Sequence, residues 1–436
     1  MGENLLKREW ANLEFDDLRV LLEDRIGAPG QFSGKPGDNR LYLPLAGNSC
    51  RVALRFKGNR ISAVERGPAF DPAEWSQIDA TIDALLSTAP DKIGRNITFS
   101  GKRVAGWWRG AKSGVQILPP PVGAPAVPTE MGEHPFVLEF PLHSDTALQV
   151  TNKRRLREHR RLSLLLNVLL TARVNVEPMQ TEHGWCLPHT QQAPWRSEWL
   201  QLSYFPGVDQ IVIEELSPPG GDPLEALAPE TYYATLGYDG KPLRVPSDLD
   251  ESICLYRQLG QADREKFNRA LFWLDVASRQ WTTSMSSSFA SLVSAIESLT
   301  ERGKIHRVYC DECGEEREHD APGPTAQFRN FFETHAPGSS LKERRNEMYS
   351  LRSSISHGDQ LIAFDEGRAF GWDPPWAKQN ELHRELWSIT RIALRNYLAN
   401  PGASRSPESA RCGLEMFLAR ANNRLRRLLA RFLLAR

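Results

Sequence analysis

In the segment MYSLRSSISHGDQL, residues 348 to 361, four residues separate Arg352 from His357, and glycine follows at 358. A guanidinium is a permanent, forked cation able to hold a phosphate oxygen. Imidazole is the side chain that exchanges protons near neutral pH. Gly358 suits the left-handed position that ends a helix, which would set His357 in the last turn, where the helix dipole favours imidazolium. Together the two side chains make a pair that could cleave a phosphodiester. The same loose spacing recurs in Arg154 with His159 and in Arg329 with His335, so spacing alone does not choose between them. Asn330 follows Arg329, but no glycine follows His335.

Three other groups of residues could carry chemistry. Glu297 is a lone carboxylate in the otherwise apolar SLVSAIESLT, conspicuous there unless it lies at the edge of a bundle. The stretch KIHRVYCDECGEEREHD holds Cys310 and Cys313 in a CxxC-Gly knuckle flanked by His306 and His319. Zinc takes four thiolate or imidazole ligands, so a single CxxC is half a site; His306 and His319 could complete it, with His335 in reserve. A redox role fits less well, because the acidic surroundings would raise a thiol pKa. Lys153, Arg154, Arg155, Arg157, Arg160 and Arg161 open a basic helix, and Arg154, Arg155 and Arg157 are candidate phosphate contacts for RNA. Solvated charge on a helix face explains the same pattern. Tryptophans 107, 108, 185, 195 and 199 could stack a ligand, although core packing is the default for such residues.

The elements that must position these residues differ between the two halves. Residues 1 to 150 are dense in turn signals such as Pro29-Gly30, Pro36-Gly37 and Gly67-Pro68 between short apolar stretches, which reads as strands and loops. One helix is expected there, from Asp71 to Ser87, with Pro72 at its first position. The run PPPVGAPAVP at 119 to 128 reads as a linker. Residues 151 to 250 read as a helix from Thr151 to Val174, basic then leucine-rich, followed by mixed text with a strand from Gln210 to Leu216. Beyond 250, apolar residues recur at helical spacing over Ile253–Leu259, Arg264–Gln280, Ser284–Thr300, Thr325–Thr334, Leu341–Ser356 and Leu382–Ala399. Residues 251 to 400 are thus a helical domain with an insertion at 301 to 324. Residues 401 to 436 form a basic amphipathic tail.

Composition narrows the function classes. The chain has 436 residues, 40% hydrophobic and 25% charged, which excludes collagen, a coiled-coil rod and a wholly disordered chain. Lys+Arg and Asp+Glu both number 54, so any site for a polyanion must be local. The six cysteines, at 50, 186, 254, 310, 313 and 412, are too sparse for a secreted disulfide scaffold, and a reducing compartment is expected. With no apolar run near the roughly 20 residues of a membrane span, and neither signal peptide nor lipid anchor indicated, a cytoplasmic location is expected. Walker loop, dinucleotide fingerprint and nucleophile elbow are lacking from the N-terminal half.

Over about 255 to 400, the succession FASLVSAIESL, a cysteine insertion, TAQFRNFFE and YSLRSSISHG resembles the HEPN superfamily, most closely its Apea-like branch. Taken with the strands and loops read over residues 1 to 150, that resemblance gives an α+β protein in which a β-rich N-terminal region precedes an all-α HEPN-like bundle. It implies a dimer and, in active members, an endoribonuclease needing no metal, with an Arg-x4-6-His motif contributed by both protomers. The motif falls on Arg352 and His357, with Ser353 where the family often has Asn, Asp or His, and Glu297 where HEPN helices often carry an acidic residue near the cleft that could orient either of the two. One helix turns 140° over five residues, so a second protomer would ease the convergence of both side chains on one atom. The resemblance further implies an RNA substrate and a toxin or antiphage defence role, gated by an N-terminal region that answers an unknown trigger ligand or phage component. The alternative is a non-catalytic RNA- or protein-binding module that uses the bundle for dimerisation.

Overall fold

A computed structural model describes residues 4–7, 10, 15–26, 30–32, 39–43, 50–57, 60–87, 89–120, 134–144, 148–176, 210–234, 240–300, 306–309, 316–319, 323–337, 342–367 and 374–401. Most of the linker at 119–128, Trp185, Trp195, Trp199 and the tail from 402 lie outside the described residues.

Alternating apolar residues build a first antiparallel sheet from β1 (Gln31–Phe32), β2 (Arg40–Leu43), β3 (Val52–Lys57) and β4 (Arg60–Arg66), in that order. Leu41, Leu43, Val52, Leu54 and Val64 point to one side. There they meet Leu18 and Leu22 of α1 (Phe15–Ile26) and Ile78 and Ile82 of α2 (Pro72–Ser87). The expected helix over 71–87 is present. Helix α1 was not expected: the turn signals that follow it outweighed the short period of Leu18, Leu21 and Leu22 inside FDDLRVLLEDRI.

A second antiparallel sheet centres on two nine-residue strands in full register, β5 (Lys92–Ser100) and β8 (His134–Leu142). β6 (Trp108–Arg109) and β7 (Gln116–Leu118) extend it beyond β8, while β9 (Val174–Asn175) and β10 (Val212–Ile213) pair with β5. The strand expected over 210–216 is shortened to β10. Glu139 of β8 is fully buried, and charge at that depth needs complete pairing. Arg95 donates to it at 2.8 Å, Gln116 at 2.9 Å and the Ser217 backbone N–H at 2.9 Å, with the Ser217 hydroxyl as a fourth donor.

Helix α3 (Leu148–Leu169) lies on this sheet and leads to the helical half. After a short parallel pair, β11 (Ala226–Leu227) with β12 (Val245–Pro246), and the small helix α4 (Pro229–Tyr233), come α5 (Leu249–Gln258), α6 (Gln261–Gln280) and α7 (Met285–Glu297). A hairpin of β13 (His306–Tyr309) and β14 (Glu316–His319) precedes α8 (Pro324–His335), α9 (Lys342–His357) and α10 (Pro374–Ala399). All six helices expected after 250 are present, within a few residues except at α10, which begins eight residues early. The cores do not divide at 150 or 250. One continuous cluster runs from Ile117 and Phe140 of sheet two through Leu162, Leu166 and Leu169 of α3 to Phe289, Phe332 and Leu394 of the bundle. No described helix is long and apolar enough to cross a membrane.

Glu139→Ala would strand Arg95 and Gln116 in the sheet. We expect a loss of about 3–5 kcal/mol in urea unfolding, and a smaller loss for Glu139→Gln.

Candidate active site

Helix α7 is the mount. Its buried stripe Met285, Phe289, Leu292, Val293 and Ile296 follows helical spacing. Its first N–H groups are satisfied twice over: the Ser284 hydroxyl accepts from Ser287, and Asp365 accepts from Met285 at 2.9 Å and Ser286 at 2.7 Å. Glu297 is its last residue.

Across from it, α9 carries Tyr349 and Arg352, three residues apart and so on one face. Arg352 Nη2 donates to Glu297 Oε2 at 2.8 Å, and the Tyr349 hydroxyl donates to Oε1 at 3.1 Å. The carboxylate is therefore gripped by both oxygens. The guanidinium also sits 5.8 Å from the Tyr349 ring centre. Burial, and then the Glu297 carboxylate, push the Tyr349 phenol up, keeping it a donor. Both members of the ion pair remain about a quarter exposed, at 25% and 28%. Arg352 Nε is buried without a hydrogen-bond partner.

Helix α9 ends as the glycine signal requires. Gly358 has φ +79°, its N–H donates to Ile355 O at 3.2 Å, and the Asp359 N–H donates to Ser354 O at 2.9 Å. This is a Schellman ending. It places His357 at the cap, exposed, and no hydrogen bond to its side chain is present among the described residues. Ser353 is half-buried beside Arg352 on the next face. Sequence reasoning brought Arg352 and Glu297 together correctly but missed Tyr349, whose only signal was its position one turn before the arginine.

The rival pairs are structural. His335 is 2% exposed among Phe331 and Tyr397, and burial lowers its pKa to about 4. His159 is 1% exposed, contacts Asn96 at 3.0 Å and Thr98 at 2.8 Å, and is lowered to about 3 by burial and then by Arg155. Arg155, expected to contact RNA, is 6% exposed and donates to Asn152 and Asn96, so it is a packing residue of the α3–β5 contact. Arg154 and Arg157 are half-buried on the outer side of α3.

Of the expected zinc ligands, His306 and His319 face each other in the β13–β14 register. Cys310 and Cys313 lie outside the described residues, among which no metal-holding group of three or more ligands occurs. That register sets the two histidines at the end of the hairpin opposite the Tyr309–Glu316 pair and the turn.

Comparison with protein-family models, with curated proteins and with solved structures gives no match.

Buried neutral histidines make the fold acid-sensitive. His383, fully buried, completes the set: the Ser288 hydroxyl donates to Ala277 O at 2.7 Å, so it accepts from His383 Nε2 at 2.9 Å, and burial lowers this imidazole to about 4. All three folded values lie below the ordinary 6.5, so the unfolded chain takes up protons that the folded chain does not. Stability is complete above pH 6.5 and falls as pH drops toward 4, each histidine costing up to about 3 kcal/mol at the lower end. Thermal midpoints should decline steeply between pH 6.5 and 4.5, and less steeply in His383→Gln. A flat profile would contradict the assignment.

Proposed function

We propose that this protein is a HEPN-type endoribonuclease that cleaves RNA phosphodiesters without a metal, as a dimer in the cytoplasm. In this reading its N-terminal region answers a trigger ligand or phage component, and the biological role is that of a toxin or antiphage defence effector. The observation that carries it is the state of Arg352: one terminal nitrogen is pinned by Glu297, in a side chain that stays a quarter exposed. A scissile phosphate reaching the exposed part of that guanidinium would have its developing charge stabilised. Glu297 and Tyr349 position the guanidinium. His357, exposed at the helix cap, would activate the ribose 2′-hydroxyl or protonate the leaving oxygen. Ser353 would contact the RNA beside the motif.

One observation favours the alternative of a non-catalytic dimerising module. Arg352 is already neutralised within its own chain, and no described hydrogen bond joins it to His357.

Wild type, Arg352→Ala and His357→Ala, matched for folding and oligomeric state, decide between them on total RNA in excess EDTA. Cleavage by wild type alone, reduced at least a hundredfold in both variants, is expected. Tyr349→Phe should lose about tenfold. Equal cleavage by all would remove the assignment; no cleavage by any, with or without candidate triggers, would favour the module.

Cys310 and Cys313 would hold a structural zinc, with His306 and His319 as the ligands that the sequence offers to complete it. Elemental analysis should find about one zinc per purified chain and none in Cys310→Ser/Cys313→Ser.

A further inference from the structure

Helix α6 has an outer face unlike the rest of the bundle. Its buried side is Phe267, Ala270, Leu271, Leu274 and Ala277. On the opposite side, at 100° per residue, fall Glu265, Arg269, Phe272 and Val276, with Arg264 and Trp273 at the two margins. Phe272 and Trp273 are 41% and 37% exposed, large aromatic surface for a position with no core to fill. Their rings stand edge to face at 5.4 Å. Arg269 is exposed between them and Arg264.

The basic character continues onto the neighbouring helices. Arg264 lies close enough to Arg161 of α3 for the two charges to repel, and with Arg157 and Arg257 it surrounds Glu158. The Arg257–Glu158 approach is 3.5 Å, with both side chains a quarter to a third exposed. Asp263 and Glu265 flank Arg264 and dilute this field without cancelling it. In a chain of zero net charge, these arginines on three helices, grouped around Glu158, lie on one flank of the α6 face that carries the exposed rings.

We infer that the outer face of α6, extended by Arg157 and Arg161 of α3 and Arg257 of α5, is a docking surface for single-stranded RNA. Guanidinium groups take the phosphates, and Phe272 and Trp273 stack bases. An apolar protein partner would not require the arginines, and a duplex would leave the rings unused. This inference rests on the ribonuclease reading for its choice of RNA, and it places substrate holding away from Arg352 and His357.

The test is fluorescence anisotropy of a 5′-labelled 20-nucleotide single-stranded RNA against the full chain carrying His357→Ala, so that binding is read without cleavage. Each phosphate contact contributes a slope of about −0.7 in log K against log salt, or about fivefold at 0.1 M. Arg264→Gln/Arg269→Gln should therefore weaken binding about 25-fold and flatten the slope by about 1.4. Phe272→Ala/Trp273→Ala should weaken it about tenfold with the slope unchanged. Arg264→Lys/Arg269→Lys should retain the slope. Unaltered binding in both double variants overturns the inference, as does absence of RNA binding. So does an aromatic variant that converts a dimer to monomer while RNA affinity stays the same, which would make this face a contact between copies. Failure of wild type to cleave, with binding as described, would remove the nuclease reading and leave this surface in place.

Discussion

The seating of α3 on β5 is the contact from which the positions of the other helices follow. Arg155 and His159, one turn apart on α3, reach Asn96 and Thr98 on the strand. A buried guanidinium is tolerated only with its donors matched, and here Asn152 and Asn96 accept from it. His159 stays neutral beside it because burial and the neighbouring cation both oppose protonation. Rotating α3 by one residue would strand both groups, so its angle on the sheet is fixed. The leucines on its other flank then define the surface on which α5, α6 and α10 pack.

The joint is closed at the far end of α3, where a helix leaves carbonyls unsatisfied. Arg391 of α10 donates to Leu170 O, the Tyr233 hydroxyl donates to Leu169 O at 2.9 Å, and the Thr171 N–H donates to the Tyr232 hydroxyl at 2.9 Å. Arg395 stacks 3.3 Å from the Tyr233 ring centre. Helix α10 in turn meets α7 through His383 and Ser288, and α7 ends in Glu297. The Arg352 site is therefore mounted on a core it shares with the second sheet.

Helical spacing in the second half was legible because each helix there buries one continuous stripe, as Phe328, Phe331, Phe332 and His335 do in α8. The Schellman ending was legible because only Gly358 offers the left-handed backbone at low cost. What stayed hidden was tertiary. Nothing local to Arg155 distinguishes it from Arg154 or Arg157; its burial depends on Asn96, 59 residues earlier. Likewise the single core joining sheet to bundle could not be read from a change of periodicity at 250, since a change in element type need not be a domain boundary. Asp365 as the cap of α7 was invisible because it arrives from 80 residues downstream.

The end of α9 also limits what one chain can do alone. The segment after Gly358 is tied down: the Ile362 N–H donates to Ser286 Oγ at 2.8 Å with Ile362 fully buried, and Asp365 holds the start of α7. His357 thus stands on a cap fixed from both sides. It lies about 140° around the helix from Arg352, whose side chain is turned toward Glu297. Refolding the last turn to bring them together would sacrifice both Schellman bonds and the anchoring of Ile362. The proposed reaction, which needs both groups on one phosphate, would be met at lower cost by two copies, each presenting its exposed histidine to the other's arginine. In that proposed arrangement Glu297, which already holds the guanidinium in a defined orientation within one chain, would leave only the imidazole for the second to supply.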